Sequence, residues 1–196
     1  MSSGRSTRRW QRSRVLLIAI CLVVTSAVDV AAARRKTVRV DRASFASTAD
    51  FFSAIRVSIA VGELLHRFRA DFPQPPPLDI VVRAQNAYEL TQLDESLSSA
   101  GCELVGEHAE VIVNPRILSG PRALNDAELR SLLGHELRHA YQFADGSAES
   151  NSPDIWRREI EAFEWEMTNR DPAVRAWYRR ETKHQLELYR TLLRDD

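Results

Sequence analysis

The chain has few cysteines and no long apolar run. Cys21 and Cys102 are its two cysteines among 196 residues. Cys21 lies in the apolar run 15–24 (VLLIAICLVV), which is shorter than the ~20 residues that a membrane-spanning helix needs. If the N-terminal segment is removed, Cys102 is the sole remaining thiol and no internal disulfide can form. Stability must then come from the core or from a bound metal.

Charge of one sign is also lacking. The chain has 27 basic and 27 acidic residues. Residues 1–33 carry five arginines and one aspartate, which is +4, so the remainder is near −4. A nucleic-acid-binding domain would carry a basic face on its folded part. We therefore expect no nucleic-acid partner.

The first 33 residues have the composition of a targeting signal. Arginines precede the apolar run, small residues follow it, and Asp29 is the first acid. This order is typical of a secretory signal. We predict a signal peptide or N-terminal anchor over residues 1–33 and an exported protein (periplasmic, secreted or envelope-associated). A mitochondrial presequence, equally rich in Arg and Ser, is the alternative. Membrane contact is expected only through an uncleaved N-terminal segment.

The remainder predicts one α+β domain over residues 45–196, after a basic linker at 34–44. With 44% hydrophobic and 28% charged residues it has a globular composition, and it contains no internal repeats. Apolar periodicity and turn residues predict helices near 45–69, 125–146, 153–167 and 172–193, and strands near 78–82, 102–106 and 108–115. Residues 84–100 fit either a short helix or a loop.

The helix that begins after Asn125 carries the main chemical motif. Asn125 and Glu128 form a capping-box pattern, and Asp145-Gly146 is a termination signal. At about 100° per residue one face collects Leu129, Leu133, Leu137, Ala140 and Ala144. His135 and His139 lie together on the other side, one turn apart, with Glu136 at the edge between them.

His-Glu-x-x-His on a helix predicts a zinc site. Both imidazoles project side by side and can bind one Zn²⁺, while Glu136 can reach a water held by the metal. Zinc lowers the pKa of that water towards ~7, and Glu136 would take its proton as general base. With five His in the chain, chance occurrence is on the order of one in a few hundred. The alternative is a pair of surface histidines beside a salt-bridging glutamate.

A catalytic zinc needs a third protein ligand. The segment 153–167 predicts a helix with an apolar face of Trp156, Ile160, Phe163 and Met167. Glu159 lies about 40° from Phe163 around this helix and Glu161 about 160° away, so Glu159 is the predicted ligand. Glu166, Glu161 and His184 remain as alternative ligands or as groups that orient the ligands. A buried carboxylate needs a partner, which a metal would supply.

The HELRH motif and the later Glu159-Ile-Glu-Ala162 segment resemble the gluzincin metallopeptidases over residues 105–167. The resemblance implies a zincin-like core, with an active-site helix, a short mixed or antiparallel sheet and further helices. It also implies Glu159 as third ligand. Phe163 departs from the pattern, because many gluzincins have an acid there. The chain is more faintly similar to a metalloprotease family that processes a mitochondrial ATP synthase subunit, although that family is cysteine-rich around the motif.

The same resemblance implies how a substrate would bind. In zincins an edge strand pairs with an extended peptide, and EVIVNP at 110–115 is the candidate. A plain core strand is the alternative for this segment. Tyr178, Tyr189 or His184 could stabilise the oxyanion.

We therefore expect a zinc-dependent metallopeptidase that acts on a peptide or protein substrate. A non-catalytic zinc-binding envelope or assembly protein is the alternative, and a zinc hydrolase acting on another bond is a third interpretation.

Overall fold

The computed structural model describes residues 35–48, 51–86, 89–90, 99–145, 152–169 and 171–196. Among these, Lys36–Asp196 form one compact unit. The predicted signal peptide or anchor lies outside the described residues. Within the described residues, no helix is both long and apolar enough to cross a membrane.

The described residues form five helices and a four-stranded sheet, which confirms the α+β class. The helices are α1 (Arg42–Thr48), α2 (Phe51–Arg67), α3 (Asp126–Gln142), α4 (Ser152–Thr168) and α5 (Ala176–Asp195). The strands are β1 (Val38–Val40), β2 (Asp79–Ala84), β3 (Ala100–Val105) and β4 (His108–Val113). The helix predicted near 45–69 is therefore built as α1 and α2, and it ends before the proline cluster, as expected.

The prediction of a basic linker at 34–44 was wrong for most of that segment. β1 and the start of α1 lie within it, and the compact unit begins at Lys36. The physical reason is the alternation in Val38-Arg39-Val40, which half-buries both valines and exposes the arginine. Such a period-two pattern suits the edge of a sheet, and Val38 pairs with Ile80 of β2.

The sheet has the order β1-β2-β4-β3, with β3 antiparallel to β4 and the other pairs parallel. The expectation that the segment around β4 is an edge strand was therefore wrong, and the alternative of a core strand holds. β4 buries Ala109, Val111 and Val113 completely, which suits a strand with neighbours on both sides. The predicted turn after β3 is confirmed, and Gly106 adopts the positive φ of 59° that favours glycine.

The core lies between the sheet and helices α2 and α3. The alternating apolar residues of β2 and β4 meet apolar faces of both helices. The predicted face of α3 is confirmed for Leu129, Leu133, Leu137 and Ala140, all of which are buried. Ala144 is exposed instead, because α3 ends at Gln142 and a 3₁₀ turn, Phe143–Asp145, follows it.

The start of α3 is fixed by a buried carboxylate. The predicted capping box is present, since Asn125 Oδ1 accepts the Glu128 amide at 2.9 Å and Glu128 Oε2 accepts the Asn125 amide at 3.0 Å. Glu128 is completely buried and also accepts hydrogen bonds from the guanidinium and backbone amide of Arg175. Because Arg175 directly precedes α5, this ion pair joins the first turns of α3 and α5.

Helix α4 does not bury the apolar face expected for it. Its fully buried residues are Ala162 and Glu166, whereas Trp156, Ile160, Phe163 and Met167 are only half-buried. Trp165 explains the difference, because its ring lies directly against Gly134 of α3, where an added Cβ would overlap it. The same ring contacts Phe68 and Phe72. With this packing, Glu159 and Glu166 of α4 face His135 of α3.

Candidate metal centre

His135, His139 and Glu159 meet between α3 and α4. The two Nε2 atoms lie 3.1 Å apart. Glu159 places Oε2 3.4 Å from Nε2 of His135 and Oε1 3.4 Å from Nε2 of His139. The spacing of four residues aligns the imidazoles along α3, and the orientation of α4 brings the carboxylate between them. The convergence expected from helix geometry is therefore present.

These three side chains fit a metal ion. Their donor atoms all lie within 4.8 Å of one another. Among the described residues, this is the cluster of His, Cys, Asp or Glu side chains that is close enough to hold a metal ion. Two imidazole nitrogens and one carboxylate oxygen form the donor set of many catalytic zinc sites. The distances between the donor atoms and their chemistry therefore allow this group to hold a metal ion.

The electrostatics of the site favour a positive charge. Burial lowers the pKa of His135, but the nearby carboxylates of Glu159 and Glu166 outweigh it and raise the pKa to about 10. Burial likewise raises the pKa of Glu159, yet the neighbouring imidazoles of His135 and His139 lower it to about 2. Without a metal, the positive charge of protonated His135 balances the neighbouring carboxylates of Glu159 and Glu166. A divalent cation would replace that proton, because ligand imidazoles bind metals in their neutral form.

Glu136 lies beside the pair and is 6% exposed. Burial raises its pKa, which the neighbouring imidazoles partly oppose. Cys102 of β3 is close enough that, after burial, the charge of Glu136 is the next cause of its raised pKa. β3 therefore runs over α3 at Glu136. The raised pKa keeps the Cys102 thiol protonated, which argues against a thiolate nucleophile.

A buried polar group lies behind His135. Glu166 is 3% exposed, and its Oε2 lies 3.5 Å from Nδ1 of His135. Its Oε1 accepts hydrogen bonds from Ser131 at 2.8 Å and from Thr182 at 3.5 Å. Tyr178 is buried alongside, and burial, followed by the charge of Glu166, raises the pKa of its phenol. Glu166 thus lies close to His135, Ser131 and Thr182, and Tyr178 is buried nearby.

Phe163 occupies the position where an acid was expected from the gluzincin pattern. Its ring lies against that of His135, with centroids 4.2 Å apart. The carboxylate facing Nδ1 of His135 comes instead from Glu166, about one turn further along α4. Tyr189 also stacks on Phe163, with ring centroids 5.9 Å apart.

The remaining candidates are not ligands in this arrangement. Glu161 is half exposed and pairs with Arg138 and with Gln142 of α3. His184 lies on the exposed side of α5 and is not part of the group.

Sequence reasoning missed Gln142, whose Oε1 lies 2.9 Å from Nδ1 of His139. It also missed Ser131 and Gly134. Gln142 had a usable signal, because it follows His139 by three residues and so lies on the same side of α3. Gly134 had none, because the ring that packs against it comes from another helix.

The structure thus defines a candidate metal centre with two imidazoles and one carboxylate as donors. Comparison of the chain with protein-family models, with curated proteins and with solved structures found no match.

Proposed function

We propose that the protein is a zinc-dependent peptidase of the gluzincin type with a zincin-like core. His135, His139 and Glu159 would bind Zn²⁺, and Glu136 would act as general base. The observation that carries the proposal is the carboxylate of Glu159, which lies 3.4 Å from Nε2 of each histidine. Few structural roles require one carboxylate to bridge two imidazoles that are a single turn apart.

Glu136 is suited to moving a proton. Bound zinc would supply a Lewis acid that lowers the pKa of a coordinated water towards ~7. Burial raises the pKa of Glu136, which makes its carboxylate a stronger base than an exposed one. It would accept the proton of the attacking water and deliver it to the leaving amine.

The edge strand β3 supports a peptide as substrate. It pairs with β4 on one side and with no other strand among the described residues. Cys102 and Leu104 pair with core-facing residues of β4, so they lie on the face of the sheet that carries α3. An extended peptide could add to the free edge of β3 and pass over Glu136. This assigns to β3 the role expected for the segment at 110–115.

Tyr189 is the better candidate of the two tyrosines for stabilising the oxyanion. Its phenol is half-buried, and its pKa is raised by burial and then by the charges of Glu159 and Glu136. The influence of these two charges supports a position of the phenol near the proposed metal. Tyr178 is buried beside Glu166, behind His135, and would not reach a substrate.

One observation favours a second candidate function, a zinc-binding envelope or assembly protein without turnover. Glu136 is 6% exposed, and a base must be reached by water and substrate to act. The same site could also hydrolyse a bond other than a peptide bond. Export remains part of the proposal and rests on residues 1–33.

Glu136→Gln separates these functions. An enzyme would keep its zinc, measured by elemental analysis, and lose about 10²–10⁴-fold in hydrolysis of a mixed peptide library. Glu107→Gln, an exposed change in the β3–β4 turn, is the matched control and should leave both unchanged. Wild type that holds one zinc but cleaves no peptide would support the non-catalytic function. Wild type refolded with excess zinc that retains none would overturn the metal assignment itself.

A further inference from the structure

We propose that Gln142 is a positioning residue that sets the tautomer of His139, and that Glu161 and Arg138 hold Gln142 in the orientation this requires. The inference about the tautomer stands on hydrogen bonds alone. Its consequence for metal binding rests on the proposed function.

The four residues form a continuous chain of polar contacts across α3 and α4. Nδ1 of His139 lies 2.9 Å from Oε1 of Gln142. Nε2 of Gln142 donates to Oε2 of Glu161 at 2.9 Å. The guanidinium of Arg138 donates to Oε1 of Glu161. Arg138, His139 and Gln142 all belong to α3, and Glu161 is the member from α4.

The direction of each hydrogen bond follows from the chemistry at the far end. An ionised carboxylate can only accept, so the NH₂ group of Gln142 must face Glu161. The amide oxygen of Gln142 then faces His139, and a carbonyl oxygen can only accept as well. Nδ1 of His139 must therefore carry the proton. Arg138 reinforces this order, because a guanidinium only donates and its partner oxygen on Glu161 must therefore accept.

The other ring nitrogen of His139 faces the candidate metal position. Nε2 of His139 lies 3.1 Å from Nε2 of His135 and 3.4 Å from Oε1 of Glu159. With the proton on Nδ1, Nε2 of His139 presents its lone pair towards the space between the three donors. Ligand histidines usually have their orientation and tautomer set by a hydrogen bond to the second ring nitrogen.

The burial of Gln142 supports a specific role. It is 8% exposed, whereas a glutamine that merely belongs to the polar surface of a helix would point into solvent. Holding this amide in place costs side-chain entropy. The hydrogen bond that its amide oxygen accepts from His139 offsets this cost.

Gln142→Leu tests the role in metal binding. Leucine is close in size but offers His139 no acceptor, so we expect zinc affinity to fall about 10–100-fold, measured by competition with a chromophoric chelator. Gln185→Leu, which alters a half-buried glutamine of α5 that donates to Glu181, is the matched control. A folded Gln142→Leu protein with affinity within twofold of wild type would overturn the proposal.

Exchanging the two partners provides a rescue. In the double variant Gln142→Glu with Glu161→Gln, a carboxylate faces His139 and an amide faces the carboxylate, so an acceptor for Nδ1 is retained. We expect the double variant to recover most of the lost affinity. Glu161→Gln alone lets the amide of Gln142 turn over, and its affinity should fall between wild type and Gln142→Leu. A double variant weaker than Gln142→Leu would contradict the relay.

The tautomer can be read directly in the metal-free full-length chain. Two-bond ¹H–¹⁵N spectra of the imidazoles should show His139 with its proton on Nδ1 in wild type and a mixture of tautomers in Gln142→Leu. A proton on Nε2 in the wild-type protein would overturn the inference. This measurement needs no metal, so it separates failure of the relay from failure of the proposed function. If Gln142→Leu does not fold, Glu161→Gln, changed at a half-exposed position, gives the same comparison.

Discussion

The two histidines of the candidate metal centre are held in different ways. Behind His135 is a buried carboxylate, Glu166, which is 3% exposed and bonded to Ser131. Behind His139 is a neutral amide, Gln142, and then Glu161, whose side chain is 53% exposed. We call these the inner side and the outer side.

The difference shows two separate physical functions. A buried carboxylate adds negative charge where solvent screens little, so the inner side would raise the affinity of the candidate site for any cation. An amide adds no net charge, so the outer side orients its ligand without adding attraction. The inner side therefore contributes electrostatic attraction, and the outer side contributes the orientation of the imidazole. Glu159 touches both histidines and belongs to neither side.

The largest effect should come from removing what both sides share. Glu159→Ala deletes the carboxylate between the imidazoles, and zinc affinity should fall by more than the ~100-fold upper range of changes behind a ligand. Competition with a chelator measures it. Glu164→Ala on the exposed side of α4, which loses only its pairing with Arg190, should bind zinc as wild type does. If Glu159→Ala binds zinc within tenfold of wild type, Glu159 is not a ligand.

Gly134→Ala should disturb both sides together. The added Cβ would overlap the Trp165 ring and push α4 away from α3, so the free energy of unfolding should fall by about 3 kcal/mol. Zinc affinity should fall with it, because α4 carries Glu159. Gly62→Ala in α2, where a Cβ meets nothing within 4 Å, should stabilise the protein by about 0.5–1 kcal/mol. Urea denaturation distinguishes them, and equal effects would contradict the close packing.

Glu166→Gln and Glu161→Gln test the difference between the inner side and the outer side directly. In the metal-free protein, Glu166→Gln removes a buried charge beside His135 and should lower the free energy of unfolding by about 2 kcal/mol. Glu161→Gln, at a half-exposed position, should cost less than ~1 kcal/mol. Both should weaken zinc binding. Urea denaturation of both variants under chelating conditions tests this, and equal losses of stability would remove the distinction between the two sides.

The smallest effect concerns the anchoring of α5, which carries Thr182 and Tyr178 to the inner side. Burial opposes ionisation of Glu128, but hydrogen bonds from Arg175 and Asn125 hold its pKa below the ordinary value. A lowered pKa stabilises the folded state at pH values above the unfolded pKa of ~4.3, and this contribution disappears as pH falls through the lowered value.

Glu128→Gln should therefore cost about 1.5 kcal/mol of unfolding free energy at neutral pH, and the difference from wild type should shrink as the pH falls below ~4. Asp126→Asn, in the same turn but 72% exposed, should cost less than ~1 kcal/mol. Urea denaturation over a pH series provides the measurement. A difference that stays constant down to the acid limit would mean that the charge of Glu128 is not the cause.

Much of the centre could be predicted because it depends on local geometry. The spacing of His135 and His139 and the capping box at Asn125 need only the period of a helix. Helix geometry also selected Glu159 over Glu161, and the distances agree. That selection used an apolar face of α4 which the structure does not bury, so its reasoning was only partly right. What α4 buries is set by Trp165, whose partner is a glycine on another helix.

The errors in the sheet share a cause. The sequence of residues 108–113 does not reveal whether this strand has one neighbouring strand or two. Strand order depends on where the connections between strands bring the chain back to the sheet. β1 was missed because three residues give a weak pattern, and pairing with β2 makes it a strand.

The sequence by itself determined the pair of imidazoles, the glutamate beside them and the helix that carries them, because residues one turn apart are neighbours in any α-helix. Only the tertiary structure decided which groups stand behind each imidazole and which strand forms the free edge over Glu136. Those outcomes depend on the rotation of α4 against α3 and on the order of the strands. Packing between residues distant in the chain sets both, and no local pattern encodes it.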